Sequence, residues 1–418
     1  MLRILVAAAL AVFVYVLARR FRLIRLGQPD PRFSGLQKRF YGLIKDGFIQ
    51  IRQPRYLAAG TLHIMIFWGF IILGLNTVDL LVGGLLPGFT FAFMGGGFGS
   101  LYTTAKDVAE LTTLAAGVGA LYRRIVVRPQ RYQDGHRFEA YLVLVLIALL
   151  MITDLCYEGG RMLMAEPMHQ LLPGAWIASR TMAFLDPAAI RMVLGTSYWL
   201  HIVLLLFFLN LLPFSKHFHI ITALPNVFFR KPVRGRLKPI TYRPLALEEM
   251  AQAGVGTIAD FTWKQMLDFF SCTECGRCTD RCPVNRIGRR LSPKGITMSL
   301  RDQGYRTVPI AGRTAGNDHA PVVGEVVPDE ELWNCTTCGA CETECPVLIE
   351  HVDKIVDMRR HQVLMKSLFP EEFKGVFKKL ETYGDTMGKG RLYREDWTSG
   401  LRVKRIYKDG PVDLLFWT

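Results

Sequence analysis

Five stretches of the sequence, 2–18, 57–82, 105–122, 138–157 and 195–214, are mostly apolar and near the length of a membrane crossing. A helix needs about 20 such residues to traverse the hydrocarbon core. Inside lipid the backbone can satisfy its hydrogen bonds only as a helix or a closed barrel. Runs this long, without the short alternating pattern of barrel strands, predict five transmembrane helices over residues 1–224. The third is the weakest, because it carries Asp107 and Glu110. The first run has a basic cluster after it (Arg19, Arg20, Arg22, Arg25) and no small-residue cleavage site, so it reads as a retained helix and not a signal peptide.

The net charge of +15 could indicate nucleic acid, but most of the Lys and Arg flank the apolar runs, where topology accounts for them. The stretch 19–56 carries ten Lys and Arg, 123–137 five and 216–238 six, whereas 83–106 and 158–194 carry one and three. Short basic connections stay on the cytoplasmic side. This alternation places the N-terminus outside and everything after residue 215 in the cytoplasm of a prokaryotic inner membrane. The segment from about 160 to 190, interrupted by Pro167, Pro173 and Pro187, is expected to form short helices at the outer surface. Residues 225–260 are basic and proline-containing (Pro225, Arg230, Lys231, Pro232, Arg234, Arg236, Lys238, Pro239), a linker whose charges suit anionic headgroups.

Histidines mark the membrane half. His63 lies near the inner end of the second span, His201 near the outer end of the fifth, and His217 and His219 just beyond its inner end. Neutral imidazole is a good axial ligand for haem iron, and an imidazole at membrane depth calls for a function. His201 and His219 are 18 positions apart, which on one continuous helix is five turns and the same face, roughly 27 Å apart. His217 falls about 160° away from His201, although Pro213 can kink the helix. Antiparallel spans put His63 and His219 at one depth, the expected axial pair of an inner haem b, with His217 the alternative to His219. His201 marks an outer site opposite the apolar Leu73, with His169 as a weaker ligand. The competing reading is that these are interfacial histidines that bind nothing.

Asp79, Asp107, Glu110, Asp154 and Glu158 map to the outer ends of the second to fourth spans, with Lys106 beside them. Carboxylates there could take the protons a quinol sheds on oxidation, which makes Lys106, Asp107, Glu110 and Asp154 quinone-site candidates. The alternative is that they are solvated helix ends. Cys156 reads as a small core residue.

The remaining eight cysteines form one pattern twice: Cys272-Thr-Glu-Cys275-Gly-Arg-Cys278-Thr-Asp-Arg-Cys282-Pro283 and Cys335-Thr-Thr-Cys338-Gly-Ala-Cys341-Glu-Thr-Glu-Cys345-Pro346. In a C-x₂-C-x₂-C-x₃-C-P run three cysteines hold one 4Fe–4S cube and the fourth ligates its neighbour. That assigns Cys272, Cys275, Cys278 and Cys345 to one cluster, and Cys335, Cys338, Cys341 and Cys282 to the other. Two zinc sites would need only pairwise thiolates. Helical patterns at 261–270, 292–302 and 346–366, with little strand signal, predict an all-helical ferredoxin domain over 261–370. Residues 371–418 form an extension ending in Val412-Asp-Leu-Leu-Phe-Trp-Thr418, which reads as a strand opening a further domain.

Two resemblances add to this reading. Pro213-Phe214-Ser215-Lys216-His217-Phe218-His219 is similar to the haem-ligand run of the cytochrome b (gamma) subunit of respiratory nitrate reductase. That family carries a second histidine in its second span, which this sequence lacks. The cysteine blocks, with Asp260-Phe-Thr-Trp-Lys-Gln-Met-Leu-Asp-Phe-Phe and Ile349-Glu-His-Val-Asp-Lys-Ile-Val-Asp-Met-Arg-Arg, resemble membrane-bound heterodisulfide-reductase-like iron–sulfur oxidoreductases. The resemblance implies an enzyme exchanging electrons between the menaquinone pool, haem b (one or two), two 4Fe–4S clusters and a cytoplasmic redox partner such as electron-transferring flavoprotein. It also implies downstream CCG domains, which this sequence lacks. The alternative is a non-catalytic anchor and electron wire for a separate heterodisulfide-reductase-like subunit. A transporter would show paired interrupted helices or repeats, and none is evident. The expected fold class is all-α: a five-helix haem-binding bundle followed by a helical ferredoxin domain.

Overall fold

The computed structural model describes residues 2–86, 96–132, 137–164, 171–233, 235–237, 253–310 and 320–415; it is helical, with no β-strand among them. Two compact units divide the chain, Met1–Arg359 and Arg360–Thr418.

The first unit opens with α1 (Leu2–Leu26), followed by the short α2 (Leu36–Gly42), α3 (Leu57–Leu85), α4 (Gly96–Tyr122) and α5 (Arg137–Leu163). Next come α6 (Pro173–Met182), in the stretch expected to hold short helices, and α7 (Pro187–Leu211). Four stretches are long and apolar enough to cross a membrane: Leu2–Leu26, Leu36–Gly83, Phe138–Leu163 and Pro187–Phe214. The expected third span lies in α4, which has the length but not the composition. Its charged side chains Lys106, Asp107 and Glu110 are buried among the neighbouring helices. The Tyr102 hydroxyl ties α4 to the Ile72 carbonyl of α3 at 2.9 Å. Gly69 lets the same two helices approach: a Cβ there would lie 1.9 Å from Thr113 Oγ1. Small residues do this work in membrane helices, where lipid removes the hydrophobic drive to associate.

The expectation that His201 and His219 share one continuous helix does not hold. After Leu211 the chain tightens into a 3₁₀ turn at Leu212–Phe214 and extends at Ser215 (φ −104°, ψ 172°). It then re-enters helix as α8 (His219–Phe228). Pro213 brings the break, because it has no N–H for the helical ladder. The Ser215 hydroxyl accepts from His217 N at 3.1 Å and caps the restart.

The iron–sulfur half begins with α9 (Trp263–Ser271), started by a capping box between Thr262 and Gln265. Short α10 (Arg277–Asp280) and α11 (Pro283–Arg286) follow, then α12 (Pro293–Thr307) capped by Ser292. After α13 (Asp329–Asn334) and α14 (Ala340–Glu344), α15 (His351–Lys366) starts five residues later than the pattern predicted. The core is not confined to this half. Leu23 and Ile24 of α1 and Phe218 pack in one buried cluster with Phe261, Met266, Phe269, Phe270, Leu300, Ile355 and Met358.

The stretches expected as two domains, 1–224 and 261–370, share this buried core, and residues up to Arg359 fall in the first unit. Buried pairs reinforce the junction: Arg32, after α1, is bidentate to Glu350 at 3.0 and 2.8 Å. Lys231 of the expected linker meets Asp353 at 2.8 Å, and Arg230 lies 3.9 Å from Asp46. These cations face protein carboxylates and not lipid headgroups. Residues 238–252 of that linker lie outside the described residues.

The second unit holds α16 (Glu372–Tyr383), closed by Gly384 at φ 71°, and the single turn α17 (Ile406–Asp409). The strand expected at the end is absent from 412–415; a lone strand has no ladder partner to hold it.

Candidate iron–sulfur, haem and quinone sites

Both cysteine runs adopt the same backbone. Glu274 and Thr337 each have φ 54°, and Gly276 and Gly339 follow at 72° and 71°. This places three thiols around one point, and Pro283 and Pro346 then carry the chain away. Cys272, Cys275, Cys278 and Cys345 line one cavity, together with Lys294, Val347, Ile349 and His351. Cys335 lies among the charges of Cys282 and Cys338, and Cys341 among those of Cys335 and Cys338. Burial pushes the bare Cys272 thiol up to about 11 and Cys345 up to about 12. Such thiols become thiolates at neutral pH only opposite strong positive charge, which iron supplies.

Each mapped histidine has its Nδ1 engaged. His219 Nδ1 donates to the Lys216 carbonyl at 3.0 Å. His201 Nδ1 lies 3.2 Å from the Leu150 carbonyl and 3.0 Å from Thr153 Oγ1. His63 Nδ1 lies 3.2 Å from Gln50 Oε1. Anchoring one ring nitrogen leaves Nε2 as the ligand atom and fixes the ring plane, the usual arrangement of a metal-ligating histidine. The donor set therefore fits haem. His63 and His219 are near enough to act on each other electrostatically. His217 lies beside His219, ring centres 5.9 Å apart, with its Nδ1 3.3 Å from the Ser215 hydroxyl. His169 lies outside the described residues.

The acidic candidates separate. Asp107 accepts from Gly174 N at 2.6 Å and Ala175 N at 2.9 Å, so its carboxylate caps the N-terminus of α6 and complements that helix dipole. Lys106 Nζ instead reaches Glu110 at 3.0 Å, Asp154 at 2.8 Å and Glu158 at 3.7 Å. This places three carboxylates against one ammonium, and Thr153, next to Asp154 in sequence, is the residue that meets His201 Nδ1. Lys106 and Glu110 are buried, and Asp154 and Glu158 partly so. A separate cavity of about 230 Å³ opens between α1, α3 and α7, lined by Asp79, Tyr198, Val6, Leu80, Leu81 and Ile202. Cys156 is partly buried.

Comparison with known proteins decides the cysteine region: residues 271–349 match the model of the 4Fe-4S dicluster domain. The module is a 4Fe–4S dicluster domain. The chain is 32% identical to the probable iron-sulfur-binding oxidoreductase FadF of Bacillus subtilis over 99% of its own length and 63% of that protein's. It is 27% identical to the EtfAB:quinone oxidoreductase of Syntrophomonas wolfei over 91% of the chain and 57% of that protein. It is 35% identical to a probable membrane-anchored ferredoxin of Chromohalobacter salexigens over 47% of the chain and 32% of that protein. The chain thus spans about three-fifths of the two relatives it matches along most of its length. No solved structure matches it.

Sequence reasoning passed over the residues that join the dicluster domain to the membrane helices. Arg277, between Cys275 and Cys278, donates to the carbonyls of Arg52 (3.0 Å) and Gln53 (3.3 Å) and to Gln53 Oε1 (2.7 Å). Gln53 Nε2 in turn lies 3.3 Å from His63 Nδ1. Arg52 answers from the other side, donating to the carbonyls of Glu342, Thr343 and Cys345 at 3.0–3.1 Å. Gly60 is required here, since a Cβ would lie 2.0 Å from the Gln53 carbonyl oxygen. The one local signal was an arginine inside the first cysteine run where the second has alanine.

Proposed function

We propose that the chain is a membrane-bound, quinone-linked electron-transfer oxidoreductase, or the membrane subunit of one. The carrying observation is the line of close contacts from Cys278 through Arg277 and Gln53 to His63, whose Nδ1 lies 3.3 Å from Gln53 Nε2 and donates to Gln50 Oε1; it sets the thiols of one cluster site near a candidate haem ligand. Bound haem b and the two clusters would supply one-electron chemistry between a two-electron quinone and a soluble carrier. Cys272, Cys275, Cys278 and Cys345 hold the cluster nearer the membrane. Cys335, Cys338, Cys341 and Cys282 hold the farther one, and its exposed Cys338 faces the soluble partner. His63 and His219 hold the inner haem, and His201 marks an outer one.

With the basic connections inside, the dicluster domain lies in the cytoplasm and α4 is a fifth span, its charged residues turned inward. Quinol approaches from the lipid at outer depth, where the Asp79–Tyr198 cavity is sized for a ring and the Lys106–Glu110–Asp154 group can receive protons. The name EtfAB:quinone oxidoreductase supports electron-transferring flavoprotein as the soluble carrier.

The test is a reduced-minus-oxidised visible spectrum of the purified protein with iron, sulfide and haem quantitation, followed by addition of a menaquinol analogue. Haem absorption, iron and sulfide sufficient for two cubes, and quinol-driven haem reduction that Glu110→Gln slows support the reading. A colourless or zinc-loaded protein ends it. Haem reduced through the clusters but never by quinol leaves the anchor-and-wire reading.

A further inference from the structure

One buried group near the first cluster site has no use in that reading. His351, the first residue of α15, is 3% exposed and forms part of the wall around Cys272, Cys275, Cys278 and Cys345. Its Nδ1 lies 3.2 Å from Thr297 Oγ1, but its Nε2 has no hydrogen-bond partner. A buried ring nitrogen left without a partner is costly, and such orphans in folded proteins usually answer to something bound. Among the described residues no acceptor meets it, whereas a 4Fe–4S cube presents sulfide and thiolate sulfurs that accept hydrogen bonds and donate none.

We propose that His351 donates an Nε2–H hydrogen bond to a sulfur of the cluster held by Cys272, Cys275, Cys278 and Cys345, and thereby sets that cluster's potential above its neighbour's. This rests on the cluster assignment made above. His351 is a positioning residue and not a ligand. The Thr297 hydroxyl can donate to Nδ1 or accept from it, so a single ring proton suffices and can sit on Nε2. An acceptor-only cube selects the tautomer with that proton on Nε2. The Thr297 hydroxyl, which also reaches the Pro293 carbonyl at 2.9 Å, then turns its own proton toward Nδ1. A donor to sulfur stabilises the reduced, more negative cube and raises its potential. His351 lines the first site, with Thr297 at its Nδ1.

The experiment uses the full chain in detergent, labelled with ¹⁵N-histidine and reduced stepwise. Pulsed EPR on the cluster signals should find one ¹⁵N coupling and an exchangeable proton on one cluster and neither on the other. His351→Leu should remove both couplings and lower that cluster's midpoint alone, and His351→Gln, which keeps an N–H donor, should restore most of the midpoint. Two intact clusters without a ¹⁵N coupling in the unmutated protein overturn the inference, and so does an unchanged midpoint in His351→Leu. Absence of cluster signals altogether would instead sink the functional reading on which it rests.

Discussion

The two cysteine loops share a backbone and nearly a sequence, but they live in different surroundings. In the first, Gly276 sits against the Arg131 carbonyl, and Glu274 meets Arg301 at 2.9 Å and Lys216 at 3.7 Å. Arg277 reaches into the 52–53 turn ahead of α3. In the second, Gly339 faces open space, and Thr336, Thr337 and Cys338 are exposed. Within C-x₂-C-x₂-C the loops differ at Glu274 against Thr337 and Arg277 against Ala340, and the first loop's side chains there meet Arg301, Lys216 and the 52–53 turn; the second run meets Arg52 further on, through the carbonyls of Glu342, Thr343 and Cys345. The repeat thus encodes the metal site, while its departures from repetition set what surrounds each copy.

The largest expected contrast is at the first of those pairs. Glu274→Ala leaves Arg301 buried without its partner and should cost about 3–5 kcal/mol, whereas Thr337→Ala should fall within about 0.5 kcal/mol. The positive φ is common to both and cancels. Both are read as the temperature at which the cluster absorbance is lost, and equal shifts would erase the distinction between the loops.

The glycines come next. Gly339→Ala should cost only the left-handed backbone strain of about 1–2 kcal/mol. Gly276→Ala should cost that and more, because its Cβ would lie 2.5 Å from the Arg131 carbonyl oxygen. The same melting series ranks them. Arg277→Ala, which makes the first loop imitate the second, removes three hydrogen bonds from a buried cation and should cost about 2–3 kcal/mol. It should also slow electron equilibration between haem and clusters in flash or stopped-flow reduction. An unaltered rate would deny that the Arg277–Gln53–His63 line is used. The smallest effect is kinetic: ferricyanide with an iron chelator should degrade the Cys338 cluster before its buried neighbour, seen as sequential loss of two EPR signals.

Much of this was legible in the sequence, and what was hidden has a common cause. The cysteine runs were legible because their spacing is local. The helical patterns at 261–270 and 292–302 located α9 and α12 for the same local reason. Continuity from His201 to His219 failed because Pro213 and Ser215 end the helix, although Pro213 was visible as a threat. Asp107 looked like a free acid until α6 folded back onto it from 67 positions away. Gln53 and Arg277 are 224 positions apart, and no periodicity could pair them. Arg230 and Lys231 of the linker likewise meet carboxylates far along the chain, Asp46 and Asp353.

The pairing of Arg32 with Glu350, 318 positions apart, bears on biosynthesis. α1 is synthesised while most of its eventual partners are untranslated, and its end stays incomplete until the last cysteines have emerged. Expressing the iron–sulfur half alone would therefore yield a core missing Leu23 and Ile24. Appending the first helix with its Asp30–Arg32 tail, as a separate peptide, is the natural way to rescue such a fragment.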